Sequence, residues 1–454
     1  MKNNFFIILY FLLFSNCSFD NKSGIWIEGQ EIKKKAEDKY SNKNLKDVFT
    51  SRNLYNKEQR VNSDYIIQAD KVYQNKNWTE EFQNFGNNIS NIYLINDNKL
   101  VSRSSKLTKG IYSDSYEPLF YKDHIISYDN KGTIYIYSIE KKKKLLEFNF
   151  YKKKIKKFKL EIYLILKDNK IYAADNLGYI YALDLQSFKI LWAKNNGIPF
   201  RSNIKLADDQ IFISDQDNNI YSLDIRNGES IWKFATNPTP LKTKFKNNIA
   251  IDFNNKNIFF LNTSGQLYSI NYIQKNINWV INLKPSILSE SNNIFESTPI
   301  ALKNENIYLS YGKKLSQFNL RGKNNWNRSI ATYIKPIITQ KNIFLFSKNN
   351  FLICLDVENG SIVWSKDFTS QIKNIKELTK RKIGNIQHIY IVNNNILLFS
   401  SNGYSLIFNY LNGDLISYSK IVKSKITSKP IFAKGKTFIF DSRFKLNEFQ
   451  LSTN

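Results

Sequence analysis

Cysteine and histidine are almost missing from this sequence: Cys17, Cys354, His124 and His388 are the full set in 454 residues. So few, at no recognised spacing, build neither a disulfide network nor a zinc site. No metal and no cofactor is expected. Cys354, inside "FLICLDV", reads as a small buried hydrophobe. Acids are also short, 39 against 66 Lys plus Arg, which leaves a net charge of +27. Such a balance can mark a nucleic-acid or anionic-membrane partner. It can equally be compositional, because the chain is saturated with Lys, Asn and Ile and Arg is scarce. The lysines are scattered over many turns, which favours composition, and no nucleic-acid partner is expected. The densest cluster, "EKKKKLLEFNFYKKKIKKFK" (Glu140–Lys159), reads as a solvated hairpin tip. What is plentiful is aromatic: 27 Tyr and 33 Phe, residues that with the frequent Ile favour strands.

The leading apolar run, Phe5 to Phe14, is too short to span a bilayer and fits the core of a signal peptide. It follows Lys2 and ends at Ser15-Asn16-Cys17. This resembles a bacterial lipoprotein signal, with cleavage before Cys17 and acylation of it, although Phe14 and Asn16 stand where Leu and a small residue are usual. Residues 1–16 are then the signal. Ser18 after the cysteine leans toward outer-membrane sorting. Residues 17–76 are polar and charged, cannot bury much surface, and read as a tether with a short helix around Asp64–Tyr73.

From there the chain repeats itself. "DNLGYIYALDLQSFKILW" (Asp175–Trp192) recurs as "DQDNNIYSLDIRNGESIW" (Asp215–Trp232), and again ending at Trp279, Trp326 and Trp364. A worn copy starts at Asp129, another lacking Trp at Ser400, and a cut-off one at Asp441. Each copy gives strand, polar turn, strand, second turn and a short closing strand. A further strand near a proline precedes most of them. Four short strands per forty-odd residues make a propeller blade. The expectation is an all-β, eight-bladed β-propeller of four-stranded antiparallel blades over 77–454. The recurrent Trp covers the neighbouring blade, and the recurrent turn Asp accepts backbone N–H groups. The last copy is incomplete, so the strand near Trp78 is expected to close the ring against Asp441–Leu451.

The repeat Gly-x-(Ile/Leu)-Tyr-x-Leu-Asp…Gly…(Ile/Val)-Trp resembles the PQQ-type, quinoprotein-alcohol-dehydrogenase-like propeller over about Asn75–Leu451. Two classes share it. The PQQ dehydrogenases need a Ca²⁺ with acidic ligands, a catalytic Asp and often adjacent cysteines, and this chain has no adjacent cysteine pair. The signal, length, blade count and the opening "NWTEEFQNFGNN" are together similar to the BamB family of outer-membrane lipoproteins. That resemblance implies a non-enzymatic scaffold of the barrel-assembly machinery, lipid-anchored on the periplasmic face of the outer membrane. Its implied partners are the POTRA domains of BamA, other assembly subunits and nascent outer-membrane proteins. Two loops would carry the contact. In "TPLKT", Leu241 and Lys242 stand for a Leu-Arg pair. In "IFESTP", Glu296 matches an acid. "IPFRS" adds Phe200 and Arg201. Ordinary loop residues are the alternative for all five. A PQQ-dependent oxidoreductase and a surface-binding propeller for polysaccharide remain the competing functions.

Overall fold

The computed structural model describes residues 55–451 except 96–98, 111–115, 152–156, 240–243, 285–293, 374 and 376. Among the described residues, thirty-two strands form eight four-stranded sheets. Blades 1 to 7 are continuous in sequence: 119–149, 162–195, 205–234, 248–282, 301–328, 337–367 and 386–420. Blade 8 takes three strands from 431–450 and its outermost from Lys99–Lys106. The first strand of each blade lines a central channel. Leu119–Tyr121 lies beside Ile431–Ala433 and closes the ring.

The middle strands carry nearly unbroken apolar sequence because both faces of each blade are covered by its neighbours. Thr133–Ser138 is buried throughout, and so are Ile180 to Leu183 of Tyr179–Asp184. The outermost strands, such as Ile190–Asn195, face water and are exposed along most of their length.

The tryptophans join blade to blade. Trp192, Trp232, Trp279, Trp326 and Trp364 each donate from Nε1 to a backbone carbonyl of the next blade, at Ile225, Tyr272, Leu320, Val357 and Tyr410, over 2.9–3.3 Å. The indole face lies on that blade's last turn. A Cβ added to Gly413 would come within 2.4 Å of Trp364, and one on Gly360 within 2.7 Å of Trp326. Both glycines also hold positive φ, 75° and 68°, so the turn needs glycine twice over. Blades 1 and 7 have Leu146 and Ser417 at the equivalent register position. There the junctions are filled by other rings, Phe150 on Tyr181 (4.6 Å) between blades 1 and 2 and Tyr390 on Phe432 (4.6 Å) between blades 7 and 8, while Trp78 on Phe432 (5.9 Å) and Tyr116 on Phe440 (5.4 Å) fill the junction between blades 8 and 1. The turn acids do what their position suggests. Asp129, Asp175, Asp215 and Asp441 each accept N–H bonds from the residues two and four further on. Burial pushes the Asp175 carboxyl up, against the hydrogen bonds from Tyr151 and the turn that hold it down.

The N-terminal part departs from expectation in three ways. The closing strand is Lys99–Lys106, paired antiparallel with Lys445–Gln450, and not the strand near Trp78. Trp78 instead exchanges backbone bonds with Phe120 of blade 1. Residues 55–76, read as tether, lie bound to the propeller from Tyr55 onward. Gln59 forms a bridge with Ser365 at the edge of blade 6, and Tyr65 donates to Asp356 over 2.6 Å. No helix forms over Asp64–Tyr73. Asp70 bonds Lys303 (2.8 Å) and the Gln340 N–H (2.6 Å), which holds the segment extended. Cys354 is buried, as read.

Gly413→Ala is expected to lower the unfolding free energy by about 2–4 kcal/mol, combining overpacking with left-handed strain. Gly197 has φ 72° and open space around it. Gly197→Ala should therefore cost only the backbone part, about 1–2 kcal/mol. Urea denaturation midpoints of the two variants check the difference.

Candidate functional site

One face of the propeller carries the lead-ins to the first strands and the hairpins joining second to third strands. The channel opens on this face as a cavity of about 440 Å³. Its rim is charged. Glu117, Glu161 and Glu296 line it together with Lys244, Lys246, Lys348 and Lys429. Lys246 pairs with Glu161, and Lys429 with both Glu117 and Glu81, the last at 2.7 Å.

The expected docking residues fall unevenly on this rim. Glu296 is exposed, on the lead-in to blade 5. The rest of its motif is structural: Thr298 is buried and exchanges bonds with Ser310 across the blade. Arg201 is half-buried on the lead-in to blade 3 and donates to the Phe245 carbonyl over 3.2 Å. The Phe245 ring packs edge-on to Phe295, 5.5 Å away and next to Glu296. Arg201 and Glu296 are thus linked through the intervening lead-in and share one sector of the rim. Phe200 is not available to a partner. It is 1% exposed and packs between blades 2 and 3, 6.2 Å from Tyr221. Leu241 and Lys242 lie outside the described residues, as does Cys17. Thr239, at the start of their motif, sits in a hydroxyl network with Ser264 (2.8 Å) and Asn218 (3.1 Å).

The other end of the channel is closed by a feature whose role the sequence did not reveal. Residues 75–95 run once around the ring and bond to every blade. Asn75 accepts from Lys434 N of blade 8, Trp78 pairs with Phe120 of blade 1, and Thr79 accepts from Leu166 N of blade 2. Lys205 of blade 3, fully buried, reaches Glu80 (2.7 Å) and the Asn84 carbonyl (2.6 Å). The Phe85 and Gly86 carbonyls accept from Ile251 N of blade 4 and Leu302 N of blade 5. Asn88 bonds both backbone groups of Ile338 in blade 6. Ile92 pairs with Ile391 and Asn393 of blade 7, and Ile95 returns to Gly435 of blade 8. Gly86 is required here, since a Cβ would meet Leu302 at 3.0 Å. The "NWTEEFQNFGNN" opening is this belt. The signal that could have found it was its density of amides and acids: Asn77, Asn87 and Asn88 bond blade backbone, Glu80 takes the buried Lys205, and Gln83 and Asn84 brace the belt itself.

Above the belt the lumen continues as an apolar pocket between Trp78, Phe82, Ile337, His388, Tyr390 and Lys335. Burial pulls the His388 pKa down to about 4 from the ordinary 6.5. Burial first, and then the Lys205 charge, pulls Lys335 down to about 7 from 10.5. Among the described residues, no three His, Cys, Asp or Glu side chains are grouped to hold a metal ion. No described helix is long and apolar enough to cross a membrane.

A ring of eight four-stranded blades with this Trp–Gly repeat defines a PQQ-like β-propeller. Residues 131–366 match the family described as outer membrane protein assembly factor BamB, and the chain belongs to that family. It is 23% identical over 145 residues to the outer membrane protein assembly factor BamB of Escherichia coli (strain K12). That match covers 32% of this chain and 34% of the relative, about a third of the latter's length. The structure of BamB from Moraxella catarrhalis superposes with a TM-score of 0.60 at 14% identity, covering 78% of this chain and all of that one. A europium-containing methanol dehydrogenase superposes equally well, with a TM-score of 0.61 at 10% identity, covering 80% and 89%. At such identities the structural matches speak for the fold.

The two depressed bases set the direction of a pH response. The folded state refuses a proton that the unfolded His388 takes near pH 6.5, so stability rises with pH between about 4 and 6.5. For Lys335 the corresponding rise runs from about pH 7 to 10.5. His388→Leu should flatten the acid-side slope of urea midpoint against pH, and Lys335→Met the alkaline one.

Proposed function

We propose that this protein is a non-enzymatic scaffold of the outer-membrane β-barrel assembly machinery. It is held at the periplasmic face of the outer membrane by acylation of Cys17. It binds the POTRA domains of BamA and assists folding and insertion of outer-membrane proteins. Membership of the BamB family supports this reading, and one feature of the rim carries it. Glu296 is presented on a lead-in held rigid by Phe295 and Thr298, and Arg201 is linked to it through Phe245. Loops fixed on a rigid sheet are where binding residues concentrate. Opposite charges a short way apart orient a partner as well as attract it. The competing oxidoreductase reading draws on the shared fold alone. The recurrent acids are occupied in turns, and the lumen carboxylates Glu81, Glu117 and Glu161 are held by lysines.

Lys242→Glu combined with Glu296→Lys should weaken binding to purified BamA POTRA domains by about 2–5 kcal/mol if these charges are desolvated in the complex. The double variant must unfold at the parent's urea midpoint for the loss to count. A folded double variant that binds undiminished moves the contact to Arg201 or to another loop. For the anchor, mass spectrometry of protein extracted from membranes should find a mature N-terminus at Cys17 carrying acyl chains. An unmodified cysteine or cleavage elsewhere overturns that assignment.

A further inference from the structure

The charge on the channel-mouth face is not evenly distributed. On blades 7 and 8 this face presents Arg381, Lys382, Lys420, Lys423, Lys425 and Arg443, all exposed. Hydrogen bonds make them one sector. Asn402 donates to the Arg381 and Lys382 carbonyls (3.2 and 3.1 Å) and accepts from Lys420 Nζ through its own carbonyl. The next link is tied down by Ile426 N on Ser401 O (3.1 Å), and Ser442 N bonds Lys425 O (2.8 Å). The nearby acid of this hairpin, Asp441, is buried and held by Arg103 at 2.5 Å. Among the described ion pairs none involves any of the six cations. Elsewhere lysines meet acids on both faces: Lys246 meets Glu161 on this one, and Lys256 meets Asp208 (2.8 Å), Lys303 meets Asp70 (2.8 Å) and Lys434 meets Asp123 (2.5 Å) on the other. The exposed acid beside the sector is Glu377, whose carboxylate accepts from Tyr418 (3.3 Å) while Lys382 Nζ donates to its carbonyl (3.1 Å). What marks the sector is six exposed cations drawn together with none in a described ion pair.

We propose that this mouth-face sector of blades 7 and 8 docks on an anionic lipid headgroup surface. Four of the six cations are lysines, and no exposed aromatic lies among them. Protein interfaces favour Arg and aromatic anchors and deplete Lys, whereas lysines near a phosphate-bearing bilayer surface each contribute about 1 kcal/mol without any fitted geometry. The path of the chain agrees. Tyr55 is fixed on this same face by Ser329 O (3.0 Å) and by Asn349 (3.4 Å) in a hairpin of blade 6, next to the sector. Tyr55, the first described residue, therefore lies on the side the sector faces. The proposal deepens the scaffold reading, giving one part of the rim to the membrane and leaving the Arg201–Glu296 part to protein. It stands on the charge geometry and does not require the acyl group.

The test uses the full chain carrying Cys17→Ser, sedimented with phosphatidylcholine vesicles with and without phosphatidylglycerol. Binding to the zwitterionic vesicles measures the apolar contribution of residues 1–54, and their charges are the same in every variant compared. The phosphatidylglycerol-dependent part should fall steeply with added salt. It should drop on the order of 100-fold in Lys423→Glu/Lys425→Glu/Arg443→Glu, three charges at about 1 kcal/mol each. Lys141→Glu/Lys189→Glu/Lys323→Glu changes net charge equally on turns of the opposite face, and it should bind within about threefold of the parent. Equal losses in both triples overturn the proposal in favour of diffuse net charge. The absence of any phosphatidylglycerol dependence overturns it in favour of an acidic protein partner. If the first triple does not share the parent's urea midpoint, Lys423→Glu and Lys425→Glu singly, each expected to lose about fivefold, decide the matter.

Discussion

The belt of residues 75–95 is the constraint on which the ring depends. A propeller blade by itself has two large apolar faces and two open edges, and each is satisfied only by its neighbours. Tryptophan contacts join blades 2 to 7 in series, but they are pairwise and stop where the repeat loses its tryptophan. The belt is different because one short stretch of chain holds all eight blades to a common centre. It supplies carbonyls to inner-strand N–H groups, a carboxylate to the buried Lys205, and the Trp78 ring to the junction between blades 8 and 1. Removing one partner of such a buried charge pair costs about 3–5 kcal/mol.

This division of labour leaves the two faces free to differ. The face with first-to-second strand hairpins is occupied by the belt and by paired charges. The mouth face carries the longer links and an open cavity, and the proposed docking residues and the cation sector lie on it on separate blades. In the lumen between them Glu81, Glu117 and Glu161 are each paired with a lysine.

The eight blades were readable because the repeat writes them out. The alternation, the Trp and the turn Asp are local patterns with local causes. The closing strand was misplaced because Lys99–Lys106, at the water-exposed edge of blade 8, carries no apolar alternation, whereas Trp78 looks like the end of a repeat. Residues 55–76 read as tether because their bonds run to partners some 300 residues away, such as Tyr55 to Ser365, and leave no local periodicity. Phe200 was legible as a lead-in residue, but not as one turned inward. Glu296 and Arg201 could be proposed from a motif and a position, while their link through Phe245 and Phe295 is a tertiary fact.

The belt also fixes an order of events during synthesis. Chains emerge N-terminus first and domains tend to form as they appear. Residues 75–95 are made before every blade they bind, and their final partners, Lys434 and Gly435, are made almost last. The belt must therefore wait, extended and unsatisfied, until nearly the whole chain has been delivered. Vectorial folding can stack blades 1 to 7 one upon another, but the ring cannot lock until this early segment is seated across the end of its completed channel. A chain halted before blade 8 would be left with an open ring and a belt whose two ends lack their partners, Lys434 and Gly435.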